Sequence, residues 1–439
     1  MFSTSTSTST PTSTPTPTPT PAPASRACRG ARAALAVLAL LLCASLTPAT
    51  TAAAAPTALA TGPVFNDPTG DTAAQNAILK KMGALVDGAP AGADIRMSMY
   101  LMWSQWLADK LVAAEQRGVS VQLIGDSDSV STGYSSLRGA LGTDTGADSW
   151  VLTCPQDSAC LSADPTPDDA NATVNHNKYL LVSETTGGTD TLAHDVVLQT
   201  SANLTADDLQ VAWNDALVVV GNSALYQAYA DYFEDQRAAG SGEKPQVADY
   251  PVATQAGAAK LYLFPRATAD PVLDILNTVD NPVGTNAVCH GNSSGYGTTD
   301  GRTVIRLAMH QITRPAVARK LWELDNAGCY VDIVYHYLDE MFSGEVAAQL
   351  TAPTAYGGIT LHRSDEATDG TYTHSKYLLV EGTYLGRADQ KLVWTGSHTY
   401  TRSALQGNDE ALLKYDDATI HDAYRLNFWH QRAAADTVA

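Results

Sequence analysis

His176-Asn-Lys-Tyr-Leu-Leu-Val182 recurs, almost letter for letter, as His374-Ser-Lys-Tyr-Leu-Leu-Val380. In each copy a His and a Lys two residues apart lead into an apolar, strand-like run. Residues i and i+2 of a strand face the same way, so each His projects with its Lys. Duplication of a fold explains the repeated Tyr-Leu-Leu-Val as core. It does not explain why His and Lys, both costly to bury, recur at the same end of that strand. Two imidazoles and two ammonium groups drawn to one place suit an anion, phosphate above all.

Around the two strands the chain repeats a larger plan. Residues 93–100 read as a strand, residues 104–117 have helical spacing, Gly118 stands where a helix would stop, and residues 119–124 alternate as a strand. Residues 303–310, 314–327, Gly328 and 330–335 repeat that order, with Ile305 and Gly328 keeping the spacing of Ile95 and Gly118. A β-α-β unit occurring twice predicts an α/β fold: two similar α-β-α lobes, mixed sheets flanked by helices, and an active site at the lobe interface. The boundaries expected are 61–240 and 241–439, with residues 237–244 as linker. Helices over 225–237 and 421–432 would close the two halves.

Residues 1–60 stand apart. A Ser/Thr/Pro/Ala tract over 2–25 cannot form a core. Arg26, Arg29 and Arg32 then precede the apolar run 33–46 and a small-residue stretch, the layout of a secretory signal peptide. That run falls short of the roughly 20 residues needed to span a bilayer. Past the leader, Cys154, Cys160, Cys289 and Cys329 remain, an even number suited to disulfides in an exported protein. Of three connectivities, Cys154–Cys160 and Cys289–Cys329 keep each bridge within one half. With no CxxC pair and no HExxH, no metal site is expected. The net charge of −19 repels nucleic acid and anionic surfaces at long range, which counts against a nuclease.

Beyond each His/Lys strand lies a second one ending in short polar residues: Thr200, Ser201 and Asn203 in the first half, Gly396, Ser397 and Thr399 in the second. Such strand ends can donate to phosphate oxygens, although they also serve as turns. Next come Asn214-Asp215-Ala-Leu and Asp409-Glu410-Ala-Leu. Matching the Ala-Leu pairs sets Asp215 opposite Glu410. Both are candidates for the carboxylate that fixes the tautomer of a catalytic imidazole. The other histidines, among them His310, His336 and His398, read as structural residues, these three lying near enough to the repeats to approach a pocket.

These residues resemble the phospholipase D superfamily, whose signature is His-x-Lys-x4-Asp followed by Gly-Ser-x-Asn, present twice. The likeness runs from about residue 90 to about residue 430. Ser183 and Glu381 stand where the signature has Asp, and the second element reads Thr-Ser-Ala-Asn and Gly-Ser-His-Thr. In the family that Asp supports the fold more than the chemistry, so the resemblance implies activity. It also implies roles: His176 as nucleophile forming a phospho-histidine, and His374 as general acid and then base. Lys178 and Lys376, with Ser201, Asn203, Ser397 and Thr399, would bind the phosphate, and no cofactor would be needed. The implied protein is a secreted, monomeric phosphodiesterase acting on phospholipids, with transient contact at a membrane surface. A nuclease and a non-catalytic phosphate- or lipid-binding protein are the alternatives.

Overall fold

Alternation decides where each residue of the repeated strand goes. In Lys178–Thr185, Leu180 and Val182 face one core and Tyr179 and Leu181 another. In Lys376–Tyr384, Leu378 and Val380 face a third core, while Tyr377 and Leu379 join Tyr179 and Leu181. Each strand is thus buried on both faces, which is why Tyr-Leu-Leu-Val reads as continuous apolar sequence. This computed structural model describes residues 57–165, 173–279, 289–339 and 343–438. The expected leader lies outside the described residues, apart from 57–60.

Two mixed sheets carry the strands. The first runs Gly62–Phe65, Asp215–Val219, Ala193–Thr200, Lys178–Thr185, Asp94–Met99, Ser120–Gly125, Trp150–Thr153. The second repeats that order as Ala259–Leu263, Ala411–Asp416, Arg387–Gly396, Lys376–Tyr384, Val304–Gln311, Tyr330–Tyr337, Thr360–Arg363. It adds Ala253–Ala256 at one edge and Asp436–Val438 at the other. The expected β-α-β units are present as parallel pairs. Ile95 lies opposite Val121 across the helix Gln105–Gln116, and Ile305 opposite Val331 across Pro315–Asn326. Ser104 caps the first helix by accepting from Leu107 N, and Gly118 and Gly328 follow the two helices at φ +89° and +106°, backbone that glycine adopts without strain.

Helices Ser223–Gly240 and Ala418–Ala434 fill the space between the sheets. They send Tyr229, Tyr232, Phe233, Tyr424 and Phe428 into the core that both halves share. At about 1.5–3 kcal/mol for each large apolar side chain, that shared core makes one body of the described residues. The first helix runs on to Gly240, so the first part of the expected linker is helical. Gly240 sits against Cys160, where a Cβ would come within 2.6 Å of the sulfur, and Arg237 bridges Glu234 and Glu243.

Polar ties also cross between the halves. The carboxylate of Asp409 accepts from the consecutive amides of Cys160, Leu161 and Ser162 at 3.1, 2.9 and 2.7 Å, and from Gln236 Nε2 at 3.1 Å. Three successive N–H groups make a concave anion seat, here filled by the protein itself. The disulfide Cys154–Cys160 closes that loop, and Cys289 is bonded to Cys329. Where the signature has Asp, Ser183 Oγ accepts from Asp94 N at 2.8 Å and buried Glu381 pairs with Arg306 at 2.8 Å and Arg425 at 3.2 Å. Both positions serve the fold.

Candidate active site

Short bridges between the halves set the two histidines. Asn175 pairs with Asp409 in parallel, and His176 N donates to Asp409 O at 3.0 Å. Thr373 pairs with Trp213, and His374 N donates to Trp213 O at 2.9 Å. Each histidine therefore begins its strand where its own half grips the other.

The imidazoles are backed by groups from the opposite half. His176 Nδ1 donates to Glu410 Oε1 at 2.7 Å. His374 Nδ1 lies 2.9 Å from Asp208 Oδ1 and 3.0 Å from Asn214 Oδ1, a shared donation to two acceptors. Of the two acids named from sequence, Glu410 is at a histidine and Asp215 is not. Asp215 accepts from Thr395 Oγ1 and, at 3.0 Å, from Tyr424 OH, on the other face of its strand.

The reason is register. Ser201 N donates to Asp215 O, and Ser397 N donates to Ala411 O. Asp215 therefore corresponds to Ala411, and Asn214 to Glu410. Matching the Ala-Leu pairs slipped the alignment by one residue, and one residue on a strand turns a side chain to the opposite face.

Asp208 was missed for a different reason: its counterpart is Ala404, so a search for repeated residues passes over it. Its sequence signal is Thr205-x-x-Asp208, a helix cap. Thr205 Oγ1 both accepts from Asp208 N and donates to Asp208 Oδ2 at 2.9 Å.

Lys178 and Lys376 are buried, at 0% and 1% exposure. Each Nζ donates to the carbonyl of its own histidine, at 2.9 Å for Lys178 and 2.7 Å for Lys376. Lys376 Nζ also lies 3.2 Å from Nε2 of His374. Burial, joined by the ammonium of Lys376, pushes Lys178 down to about 7, and burial pushes Lys376 down to about 8. Burial also holds His176 well below its ordinary value, with both lysines acting in the same sense. His374 falls to about 4 through burial, against the opposing pull of Asp208. Lys376 acts on His176 and Lys178 on His374, so all four groups share one electrostatic neighbourhood. Two buried ammonium groups, one of which lowers the other, mark a place where an anion would be stabilised.

The four residues expected to bind phosphate are all buried, and three of them bond the groups behind the histidines. Ser201 Oγ donates to Asn214 Oδ1 at 2.9 Å, and the Ser397 hydroxyl bonds Glu410. Asn203 Nδ2 donates to Asp208 Oδ2 at 3.2 Å, and Thr399 Oγ1 lies 3.1 Å from Thr401 Oγ1. Ser201, Asn203 and Ser397 thus bond the acceptors of the imidazoles, and Thr399 does not. His398 is fully buried with its ring centre 4.2 Å from that of Phe264, while His310 lies edge-on to His374 at 4.6 Å. Among the described residues no group of His, Cys, Asp and Glu is arranged to hold a metal ion.

The family model described as cardiolipin synthase, PLD-like domain, matches residues 89–237 and 300–432. Among solved structures, the chain is similar to phosphatidylserine synthase from Haemophilus influenzae Rd KW20. The TM-score is 0.53 at 11% identity, over 86% of this chain and 87% of that one. It is also similar to polyphosphate kinase from Porphyromonas gingivalis, with TM-score 0.50 and 11% identity over 84% of this chain. It spans 50% of that kinase. At such identities the likeness is one of fold. No curated protein matches the sequence.

Proposed function

Because this chain belongs to the phospholipase D superfamily, we propose that it is an exported phosphodiesterase that cleaves phospholipids at the bond to the head-group alcohol. The observation that carries the reading is the crossed pair of backed imidazoles, one buried lysine beside each. Two disulfides are compatible with an oxidising exterior, and among the described residues no helix is long and apolar enough to cross a membrane.

The roles follow from what stands behind each ring. With Nδ1–H held by Glu410, Nε2 of His176 carries the lone pair, and its depressed basicity keeps it neutral. It attacks phosphorus as the P–O bond to the head-group alcohol breaks. Burial works to raise the Asp208 carboxyl, but the charges of His374 and Lys376 outweigh it and keep Asp208 ionised. An ionised Asp208 stabilises the imidazolium of His374, whose Nε2–H passes its proton to the departing oxygen. Bound phosphate adds a second negative charge that favours that cation. Water next gives its proton to Nε2 of His374 and attacks phosphorus, the P–N bond breaks, and His176 leaves neutral. An alcohol in place of water gives transfer. Lys178 and Lys376 neutralise the non-bridging oxygens through both steps.

The test is turnover of phosphatidylcholine vesicles with ethanol present, beside single-stranded DNA. Choline and phosphatidylethanol are the expected products. DNA shortening with intact lipid would overturn the reading in favour of a nuclease, and inertness toward both would favour a binding protein.

A further inference from the structure

His310 grips the main chain on both sides of His374. It follows Met309, which pairs with Lys376 across the sheet. From there His310 N donates to Ser375 O at 3.0 Å, and its ring Nδ1 lies 3.2 Å from Thr373 O. The residue between those two carbonyls is His374. The two rings also meet directly, their centres 4.6 Å apart and their planes at 66°.

The clasp is itself held in one state. A carbonyl only accepts, so Nδ1 of His310 carries the hydrogen. Burial holds His310 well below the ordinary histidine value, so the ring is neutral and Nε2 keeps its lone pair, with Gln311 Nε2 at 3.5 Å as donor. His336 lies nearly parallel to it, centres 5.2 Å apart, and donates its own Nδ1–H to Ser364 O at 2.7 Å. From the helix Ala418–Ala434, Gln431 accepts from Thr373 Oγ1 at 2.7 Å and donates to Ser375 Oγ at 3.0 Å. Side chains and carbonyls of the stretch 373–375 are thus tied to two different elements.

The first half is built differently. Tyr100, which corresponds to His310, repeats the main-chain bond, its N donating to Asn177 O at 2.9 Å. Its hydroxyl turns instead to Asp128 at 3.0 Å. The difference matches what backs each imidazole. His176 donates to Glu410 at 2.7 Å, whereas the Nδ1–H of His374 is divided between Asp208 and Asn214 at 2.9 and 3.0 Å. A divided donation fixes a ring less sharply, and a ring that hands a proton to a departing oxygen tolerates little misplacement.

Resting on the reading of His374 as the acid, we propose that His310 is a positioning residue, its Nδ1 clasp on Thr373 and its edge-on ring aiming Nε2–H of His374 at the oxygen of the leaving alcohol. It acts through His374 and leaves the attack of His176 on phosphorus untouched.

The test compares phosphatidylcholine, whose alcohol must be protonated as it leaves, with phosphatidyl-p-nitrophenol, whose phenolate leaves as the anion. Both are given in mixed micelles to the full chain. His310→Phe, which keeps a ring and removes the donor, should lower kcat for phosphatidylcholine about tenfold or more with KM little changed. The first-turnover burst of p-nitrophenolate should stay within about threefold of the parent, because that step needs no acid. His310→Asn, whose amide nitrogen takes the place of Nδ1, should recover most of the lost choline release. Equal losses on the two substrates, a Phe variant as fast as the parent, or an Asn variant as slow as Phe overturns this inference alone. No turnover of either lipid by the unaltered protein sinks it together with the phospholipase reading.

Discussion

Glu410 of the C-terminal half and His176 of the N-terminal half meet at 2.7 Å, carboxylate to Nδ1, with the carboxylate fully buried. The matched residue in the other half is Asn214, which with Asp208 receives His374. The candidate site is thus wired crosswise, and the consequences can be measured.

Glu410→Gln should lower kcat about 100-fold or more with little change in KM, since it removes the charge that stabilises the His176 cation and its tautomer. Asp215→Asn should leave kcat within about threefold and lower stability by about 1–2 kcal/mol, because Asp215 answers to Thr395 and Tyr424 rather than to a histidine. Steady-state rates and urea melts of the two variants check the contrast. Equal losses of activity would contradict the register assigned above.

His374→Ala should accumulate protein phosphorylated on His176 when given a substrate with a good leaving group, because the second proton transfer is missing. His176→Ala should acquire no label. Acid-labile phosphate measured by mass spectrometry decides the matter, and label on the second variant alone would reverse the roles.

The lysines set the basic side of the pH profile. Phosphate binding needs the ammonium forms, and Lys178 and Lys376 stand at about 7 and about 8 in the empty site. Raising pH through those values discharges them, so kcat/KM should fall between about pH 7 and 8. The profile of kcat should fall later, because bound phosphate raises both groups. A kcat/KM that stays level to pH 10 would refute the assignment.

Removing the bridge Cys289–Cys329, which spans 40 residues, should cost more stability than removing Cys154–Cys160, which spans 6. Loop-closure entropy predicts a difference of about 1.5–2 kcal/mol. The shorter bridge has its own signature. It braces the amides that hold Asp409, so its loss should lower activity through His176, whose main chain hangs on Asp409. Thermal melts and rates of paired Cys→Ser variants separate the two effects.

Much of this arrangement was legible in the sequence wherever periodicity carried it. The strands beginning at Lys178 and Lys376, the helices after Ser104 and Arg314, and the stops at Gly118 and Gly328 all follow from local pattern. The slip between Asp215 and Asn214 shows where pattern fails. Ala-Leu matches in the wrong register, and only hydrogen bonding to Ser201 and Ser397 reveals the right one. Asp208 lay beyond reach because a repeat exposes what two halves share, and this acid belongs to one. The crossing itself has no local signal, since Glu410 meets His176 only after both sheets have closed on a common core.

That crossing makes the duplicated halves mutually indispensable. A single lobe expressed alone would present an imidazole stripped of its acceptor, and a lobe borrowed from another chain would have to bring the right acid at the right register. Change in one half is answerable in the other, so the pair must be inherited, recombined and engineered as one indivisible piece.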